Sequence, residues 1–160
     1  MKLLVPVEGS RASCNAAKKA ADIAKKYGFS IKLITVIDDA SRRSRSERHW
    51  RQFDGSIISG TRSMKNQVII DEIRRSASLL LDSYTDGIDF GTINIEKEVL
   101  IGEPYEKILE TAEKEKTDLI VMGNRGFSKI KRFFIGSVAQ KVISEAPCPV
   151  LVIHSEAETD

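Results

Sequence analysis

The sequence is poor in the residues that build covalently stabilised or metal-based sites. It contains two cysteines and two histidines in 160 residues. Two cysteines do not make the disulfide framework of a small secreted domain, and no cysteine and histidine spacing matches a zinc site. Long apolar runs are missing as well, since no stretch approaches the roughly 20 residues that span a bilayer. We therefore expect no disulfide-stabilised fold, no integral membrane protein and no metal-binding residues.

The amino terminus lacks the features of a secretory leader, because Pro6 and Glu8 interrupt its apolar run within a few residues. The composition is that of an ordinary globular protein, with 41% hydrophobic and 30% charged residues. A length of 160 residues suits one domain with a sizeable core. These features predict a single soluble domain over residues 1–160 and a cytoplasmic location.

Positive charge is concentrated between Ala40 and Gln67. This segment holds seven basic and two acidic residues, a net charge of +5, so the remainder carries −3 of the total of +2. An acidic remainder does not favour a nucleic-acid surface. We interpret the segment as a basic insertion at about 40–67, because α/β connections of this length are usually functional or disordered. Three interpretations stay open: a lid that folds arginines between Arg42 and Arg48 over a bound anion, a docking surface for an anionic partner with Trp50 as anchor, and a solvated loop.

Five short segments rich in apolar residues, each bounded by turn residues, are predicted to be β-strands. They are Leu3–Val7, Ile31–Ile37, Ile93–Ile101, Leu119–Met122 and Val150–Ile153. Apolar residues at helical spacing predict four amphipathic helices between them, the first capped by Ser10 and ended by Gly28. The inward stripes of these helices include Ala17, Ala20, Ala21, Ala24 and Tyr27 in the first, Ile70, Ile73, Ala77, Leu80, Leu81 and Tyr84 in the second, Tyr105, Ile108, Leu109 and Ala112 in the third, and Val138, Val142 and Ile143 in the fourth.

Strict alternation of strands and helices predicts a three-layer α/β/α fold, in which helices cover both faces of a five-stranded parallel sheet. Uniformly apolar strands belong at the centre of such a sheet, whereas Ile93–Ile101, in which apolar and polar residues alternate, belongs near an edge. The order 3-2-1-4-5 satisfies both conditions and is Rossmann-like. In this order the winding direction reverses between strands one and four. Ligands of open α/β sheets bind in the crevice at the carboxyl ends of the strands that flank such a reversal.

The chain after the fourth predicted strand has the features of a phosphate-binding loop. Gly123 and Gly126 follow the strand at once, and Gly136-Ser137 begins the next helix. Glycines allow backbone N–H groups to approach an anion, and a helix start adds unpaired donors. We predict a phosphate cradle from N–H groups around Gly126, Gly136, Ser137 and Val138, with the Ser137 hydroxyl as helix N-cap or ligand donor. The basic residues that could neutralise phosphates here are Arg125, Lys129, Lys131 and Arg132.

The same glycines carry a resemblance to a known family. The pattern that resembles the ATP-binding signature of the universal stress protein family is Gly123-x2-Gly126-x9-Gly136-Ser137. Similar segments lie near both ends of the chain, at Leu3–Ser10 and Ala146–Ile153, so the resemblance covers nearly everything outside the basic insertion. It implies the same strand order in an adenine nucleotide alpha hydrolase-like fold, binding of ATP, and a homodimer.

The resemblance also implies roles for individual residues. The family's acidic residue after strand one meets the nucleoside and is usually aspartate, whereas this chain has Glu8, whose carboxylate can still accept from ribose hydroxyls. Pro6, Val36 and Ile37 would form the wall of an adenine site. Ala139 stands where the family often has a second hydroxyl residue. The predicted nucleotide-binding residues are Pro6, Val7, Glu8, Val36, Ile37, Met122, Gly123, Arg125, Gly126, Gly136, Ser137 and Val138.

Turnover has little support in the sequence. The only histidines are His49 and His154, which the predicted topology does not place beside a nucleophile, and Glu8 has no evident partner carboxylate. We expect a non-catalytic stress regulator that binds ATP, or ADP or AMP, with Mg2+ as the companion ion and at most very slow hydrolysis. The alternatives are a partner- or nucleic-acid-binding module that uses the basic insertion, and a nucleotide hydrolase or transferase.

The last predicted strand, Val150–Ile153, is apolar throughout yet falls at an edge of the sheet. An exposed edge of this kind is a pairing surface unless something covers it. We therefore expect a homodimer in which two copies of this strand pair in antiparallel fashion.

Overall fold

A computed structural model of the chain describes residues 1–38, 60–125 and 135–154, with side chains from residue 67 onward in the second range. Its elements are β1 (Lys2–Pro6), α1 (Arg11–Tyr27), β2 (Ser30–Asp38), α2 (Gly60–Gly87), β3 (Ile95–Gly102), α3 (Pro104–Lys114), β4 (Leu119–Gly123), α4 (Ser137–Glu145) and β5 (Val150–Ile153). All five strands pair in parallel in the order β3-β2-β1-β4-β5. The predicted sheet and its order are confirmed.

Successive side chains of β1 point to opposite faces of the sheet, and those from Leu3 to Pro6 are buried on both faces. Leu3 and Val5 belong to the core under α1 and α2, whereas Leu4 belongs to the core under α3 and α4. Each of these three residues is 0% exposed. Full burial of such a side chain stabilises the fold by about 1.5–3 kcal/mol, so the central strand anchors both helical layers.

Helix α1 packs through a stripe of alanines from Ala12 to Ala24, which are all buried. The two predicted caps are confirmed. Ser10 accepts a hydrogen bond from the Ser13 N–H, and Gly28 adopts φ 71° and donates to the Ala24 carbonyl. The prediction that Tyr27 faces the core is wrong, since it is 58% exposed. Tyr27 is the final residue of the helix and instead stacks on Phe29, with ring centroids 5.6 Å apart.

Two further apolar residues of the predicted stripes lie at the surface. Ile73 is 43% exposed, because it lies within residues 71–76, an exposed part of α2, whereas later turns bury side chains such as Leu81. Ile143 is 45% exposed, since it lies about 100° around α4 from the buried Val142. Residues 60–67, which we assigned to the basic insertion, belong to α2, and residues 39–59 lie outside the described residues.

Strand β3 lies at an edge of the sheet, as its alternating pattern predicts. It begins at Ile95 rather than at Ile93, because the chain first makes a turn around Gly91, which has φ 61°. In that turn the Ile93 N–H donates to the Phe90 carbonyl at 3.4 Å instead of entering the ladder.

An ion-pair network lies at the amino ends of the strands, and the predicted crevice lies at their carboxyl ends. Lys32 is only 7% exposed, and its Nζ lies 2.7 Å from Glu115 and 2.8 Å from Glu98. Lys2 Nζ lies 2.7 Å from the other oxygen of Glu115. Hydrogen bonds from Lys2 and Lys32 lower the pKa of Glu115 to about 2. The network therefore keeps a largely buried lysine paired.

Candidate functional site

A crevice opens at the carboxyl ends of β1 and β4, where the winding direction of the sheet reverses. Its volume is about 270 Å³, near the lower end for small-molecule pockets. The residues that line it are Pro6, Val7, Glu8, Val36, Pro104, Ile108, Met122, Gly123, Asn124, Arg125, Gly136, Ser137, Val138 and Ala139. Apolar side chains and backbone groups thus meet a few polar side chains in one concave site.

The structure brings together nearly all the predicted site residues. Ile37 is the exception among the described residues, because it does not line the crevice. Neighbouring side chains of a strand point to opposite faces, so a strand that directs Val36 to the crevice directs Ile37 away from it. Gly126, together with Lys129, Lys131 and Arg132, lies outside the described residues.

The amino terminus of α4 forms one wall of the crevice. Gly136 is the N-cap residue and Ser137 the first helical residue. Of the two roles predicted for the Ser137 hydroxyl, helix N-cap or ligand donor, the first is therefore wrong. The first bond within the helix runs from the Gln140 N–H to the Gly136 carbonyl at 2.9 Å. The N–H groups of Ser137, Val138 and Ala139 precede that bond and have no acceptor within the helix. This wall therefore offers backbone donors and the positive end of a helix dipole.

One predicted donor of the cradle is already used. The Gly136 N–H donates to the Asn124 carbonyl at 2.7 Å, and this bond closes the chain between the end of β4 and the start of α4. Gly136 has an ordinary extended backbone, with φ −65° and ψ 156°, and does not need glycine's conformational freedom. Its N–H fixes the position of the helix start, and the donors for an anion come from the residues that follow.

Gly123 has a packing role that the glycine pattern did not reveal. A Cβ at this position would lie 2.8 Å from the Ala12 carbonyl carbon and 2.9 Å from the Ser13 nitrogen. Only glycine lets α1 approach the end of β4 this closely. This close approach brings the first turn of α1 to the edge of the crevice.

Glu8, just after β1, lines the crevice, and Ser10 at the start of α1 holds its carboxylate. The Ser10 hydroxyl donates to Glu8 Oε1, and it also lies 3.3 Å from the Arg125 carbonyl oxygen on the β4 side. Glu8 is exposed at the mouth of the crevice, yet partial desolvation of its carboxyl raises its pKa above the ordinary value of 4.5. Hydrogen bonds from Ser10 and Ser13 oppose that rise. A carboxylate held in this way is suited to accept hydrogen bonds from a hydroxylated ligand.

Residues 1–154 match the sequence model of the universal stress protein family. The chain belongs to this family. A universal stress protein of Methanocaldococcus jannaschii is 35% identical over 153 residues, which cover 95% of this chain and 81% of the relative. The resemblance that the glycine pattern carried is thereby confirmed.

Solved universal stress protein structures share the fold. UspA from Lactobacillus plantarum has a TM-score of 0.74 and 24% identity, over 96% of this chain and 97% of that one. A universal stress protein from Archaeoglobus fulgidus, solved in complex with dAMP, has a TM-score of 0.57 and 21% identity, over 96% of this chain and 97% of that one. At these identities the two structures bear on the architecture alone.

Four residues of this universal stress protein line the crevice without having been predicted. Pro104 and Ile108 arrive on α3, and the sequence offered no reason to extend the site to the helix after β3. Ala139 was noted only for the hydroxyl it lacks. Asn124 lies inside the glycine motif, so position alone could have suggested it.

Asn124 joins the site to the edge strand of this universal stress protein. Its side chain is 1% exposed, and its Nδ2 lies 3.1 Å from His154 Nδ1 at the end of β5. Its backbone N–H donates to the Ile153 carbonyl at 2.9 Å. Asn124, directly after β4, is therefore bonded both to the β5 end of the chain and, through its carbonyl, to the start of α4.

The described residues contain no group of side chains arranged to hold a metal ion. In ranges 1–38, 60–125 and 135–154, no three histidine, cysteine, aspartate or glutamate side chains converge as metal ligands would. Within the same ranges, none of the helices combines the length and the apolar character needed to cross a membrane.

Proposed function

We propose that this universal stress protein binds an adenine nucleotide in the crevice, with ATP as its ligand, and acts as a nucleotide-dependent regulator in the cytoplasm. One observation carries the proposal: an acceptor, Glu8, and a group of helix-start donors, Ser137 to Ala139, line one crevice at the switch point. A nucleotide has the matching chemistry, with hydroxyls at the ribose and negative charge at the phosphates. The dAMP complex of the fold relative from Archaeoglobus fulgidus lends support.

Each part of the nucleotide has a suitable surface. The base would pack on the apolar surface of Pro6, Val36 and Ile108, and the ribose would meet Glu8. The phosphates would take the free donors at the start of α4, aided by the charge of Arg125. Glu8 is the only carboxylate among the described residues that line the crevice, so Mg2+ would be held through the phosphates of the ligand rather than by a protein cluster.

The nucleotide itself can be identified directly. Freshly purified protein is denatured, and the released small molecules are resolved by anion-exchange chromatography. We expect ATP, or its products ADP or AMP, in a near-stoichiometric amount. Titration calorimetry of the ligand-free protein with ATP, ADP and AMP then ranks the three. If the denatured protein releases no nucleotide and calorimetry detects no binding, the proposal is overturned and the partner- or nucleic-acid-binding alternative remains. Steep salt dependence of oligonucleotide binding is the test of that alternative.

The helix-start donors can be tested with one pair of variants. Ser137→Pro removes the first N–H of α4 at a position where proline is favoured, and the extended Gly136 before it is compatible with proline. Ser137→Ala removes only the hydroxyl and is the matched control. We expect Ser137→Pro to bind ATP more weakly than Ser137→Ala, with both variants folded. Equal affinities would show that the backbone donor does not contact the phosphates.

We also propose that the protein forms a homodimer through β5. All four residues of this edge strand are only partly buried in the single chain. The carbonyls of Pro149 and Ile153 accept bonds from the β4 side, so by alternation the N–H of Val152 points to the open edge. Val152→Pro removes this outward donor and spares the ladder to β4. Light scattering should report a dimer for the parent and a monomer for the variant, and a monomeric parent would refute the proposal.

A further inference from the structure

One buried polar group near the crevice has no part in the binding arrangement described above. Tyr84, in the last turns of α2, is 6% exposed, and its hydroxyl lies 2.7 Å from Ser13 Oγ. The two residues are 71 positions apart, so the contact joins separate elements. Ser13 itself is 0% exposed. A hydrogen bond between two buried hydroxyls fixes both side chains, because a buried polar group left unpaired is costly.

The hydrogens of this contact can be assigned. The Ser13 hydroxyl has one hydrogen and lies 2.9 Å from the Ser10 carbonyl oxygen, which can only accept. With its hydrogen given to that carbonyl, Ser13 accepts from Tyr84. Desolvation raises the pKa of Tyr84, hydrogen bonding with Ser13 and with the Gly9 backbone opposes the rise, and the charge of Glu8 adds to it. The net shift is upward, so the phenol stays protonated and able to donate.

The chain of bonds continues to the carboxylate. Ser13 Oγ accepts from the Glu8 backbone N–H at 3.5 Å and lies 3.3 Å from Ser10 Oγ, and the Ser10 hydroxyl donates to Glu8 Oε1. Each side chain orients the next, since Tyr84 fixes the Ser13 hydroxyl, Ser13 Oγ contacts both the Glu8 backbone and the Ser10 hydroxyl, and Ser10 holds one oxygen of Glu8. A carboxylate has two acceptor oxygens, so Glu8 can bind Ser10 with one and a ligand hydroxyl with the other.

We propose that Tyr84 is a positioning residue which, through Ser13 and Ser10, orients Glu8 so that the crevice prefers nucleotides with free ribose hydroxyls. The inference rests on the proposed nucleotide binding. Glu8 has several rotatable bonds, and holding it in one orientation removes the entropy cost of ordering it when the ligand arrives. The effect is therefore specific to ligands that donate a hydroxyl to Glu8.

The test compares ATP with 2′,3′-dideoxy-ATP, which lacks both ribose hydroxyls, by titration calorimetry. Tyr84→Phe keeps the ring and removes only the donor. We expect the parent to prefer ATP by roughly tenfold, as a hydrogen bond to a charged acceptor allows. In Tyr84→Phe we expect this ratio to fall by about threefold or more, through weaker ATP binding and unchanged dideoxy-ATP binding. Tyr105→Phe is the matched control, because the Tyr105 hydroxyl bonds to Glu106 at the surface, and its ratio should equal that of the parent.

Two more variants separate positioning from a general structural effect. Ser13→Ala breaks the same chain from the other side and should lower the ratio like Tyr84→Phe, which keeps the test available if either variant folds poorly. In a Glu8→Gln background, Tyr84→Phe should change the ratio no further. A ratio that stays at the parent value in both Tyr84→Phe and Ser13→Ala overturns the inference, as does a parent without preference. A parent that binds neither nucleotide overturns the proposed function instead.

Discussion

The substitution Gly123→Ala tests the close approach of α1 to β4, on which the geometry of the crevice depends. The added methyl group would lie 2.8 Å from the Ala12 carbonyl carbon and 2.9 Å from the Ala12 Cβ and the Ser13 nitrogen. All three atoms belong to the backbone or the Cβ of a buried helix, so no side chain can rotate away. Helix α1 or the end of β4 must move by several tenths of an ångström, and overpacking of this kind costs typically 1–3 kcal/mol. We expect a loss of about 2 kcal/mol in the free energy of unfolding.

The same substitution elsewhere supplies the controls. At Gly87, in the last turn of α2, a Cβ would meet nothing within 4 Å. Gly87→Ala should therefore be neutral or stabilise the protein by up to about 1 kcal/mol, because alanine favours the helix. At Gly136 the nearest atom to a Cβ is the Asn124 carbonyl oxygen at 3.4 Å, so Gly136→Ala should change stability little.

Urea unfolding followed by circular dichroism measures all three variants, and a constant m value confirms that the same transition is compared. The expected order of stability is Gly87→Ala, then Gly136→Ala, then Gly123→Ala. A Gly123→Ala protein as stable as Gly87→Ala would show that the helix and strand are not in tight contact. The movement of α1 would also displace Ser10 and Glu8, so Gly123→Ala should weaken nucleotide binding, whereas Gly87→Ala should leave it unchanged.

Three further predictions concern charge. Glu115 has a pKa of about 2 in the folded protein, compared with its ordinary value of 4.5. This difference corresponds to at most about 3 kcal/mol in the free energy of unfolding. The contribution is present above pH 4.5 and is lost as the pH falls towards 2. Glu115→Gln should therefore reduce stability at pH 7 and flatten its fall between pH 5 and 2 in urea unfolding. Glu8→Gln should weaken ATP binding by roughly tenfold, since it removes a charged acceptor; equal affinity by calorimetry would remove Glu8 from the site. Because the pKa of Glu8 is raised, lowering the pH should begin to protonate its carboxyl, and so to weaken ATP binding by the parent, while the pH is still above 4.5. The Glu8→Gln variant should lack this pH-dependent step.

The strand order was predictable because each strand has a distinct burial requirement. Leu119–Met122 is uniformly apolar and can only lie where both faces are covered, while the glutamates of β3 require water on one side. Since helices must cover both faces of a parallel sheet, few other orders remain. The position of the crevice then follows from the winding reversal alone.

The roles of single residues were less predictable, because they depend on contacts between distant parts of the chain. In a sequence, a glycine before a loop looks the same whether it lets an anion or a neighbouring helix approach the backbone. For Gly123 the short distance to Ala12 shows that the neighbouring helix requires the glycine. Tyr84 fits the apolar stripe of α2, so its spacing predicted burial and said nothing of the hydroxyl. Its partner, Ser13, is a small residue at the start of another helix, and no local pattern links the two.

Because β1 contributes side chains to both hydrophobic cores, partial unfolding of this protein is unfavourable. Neither layer can open without exposing residues of a strand that the other also needs, so partial unfolding of one helical layer gains little. The amide protons from Leu3 to Val5 should accordingly be the slowest to exchange with heavy water, at the rate of global opening. The molecule then behaves as one cooperative unit, in which events at the crevice and at the far ends of the strands share a single unfolding equilibrium.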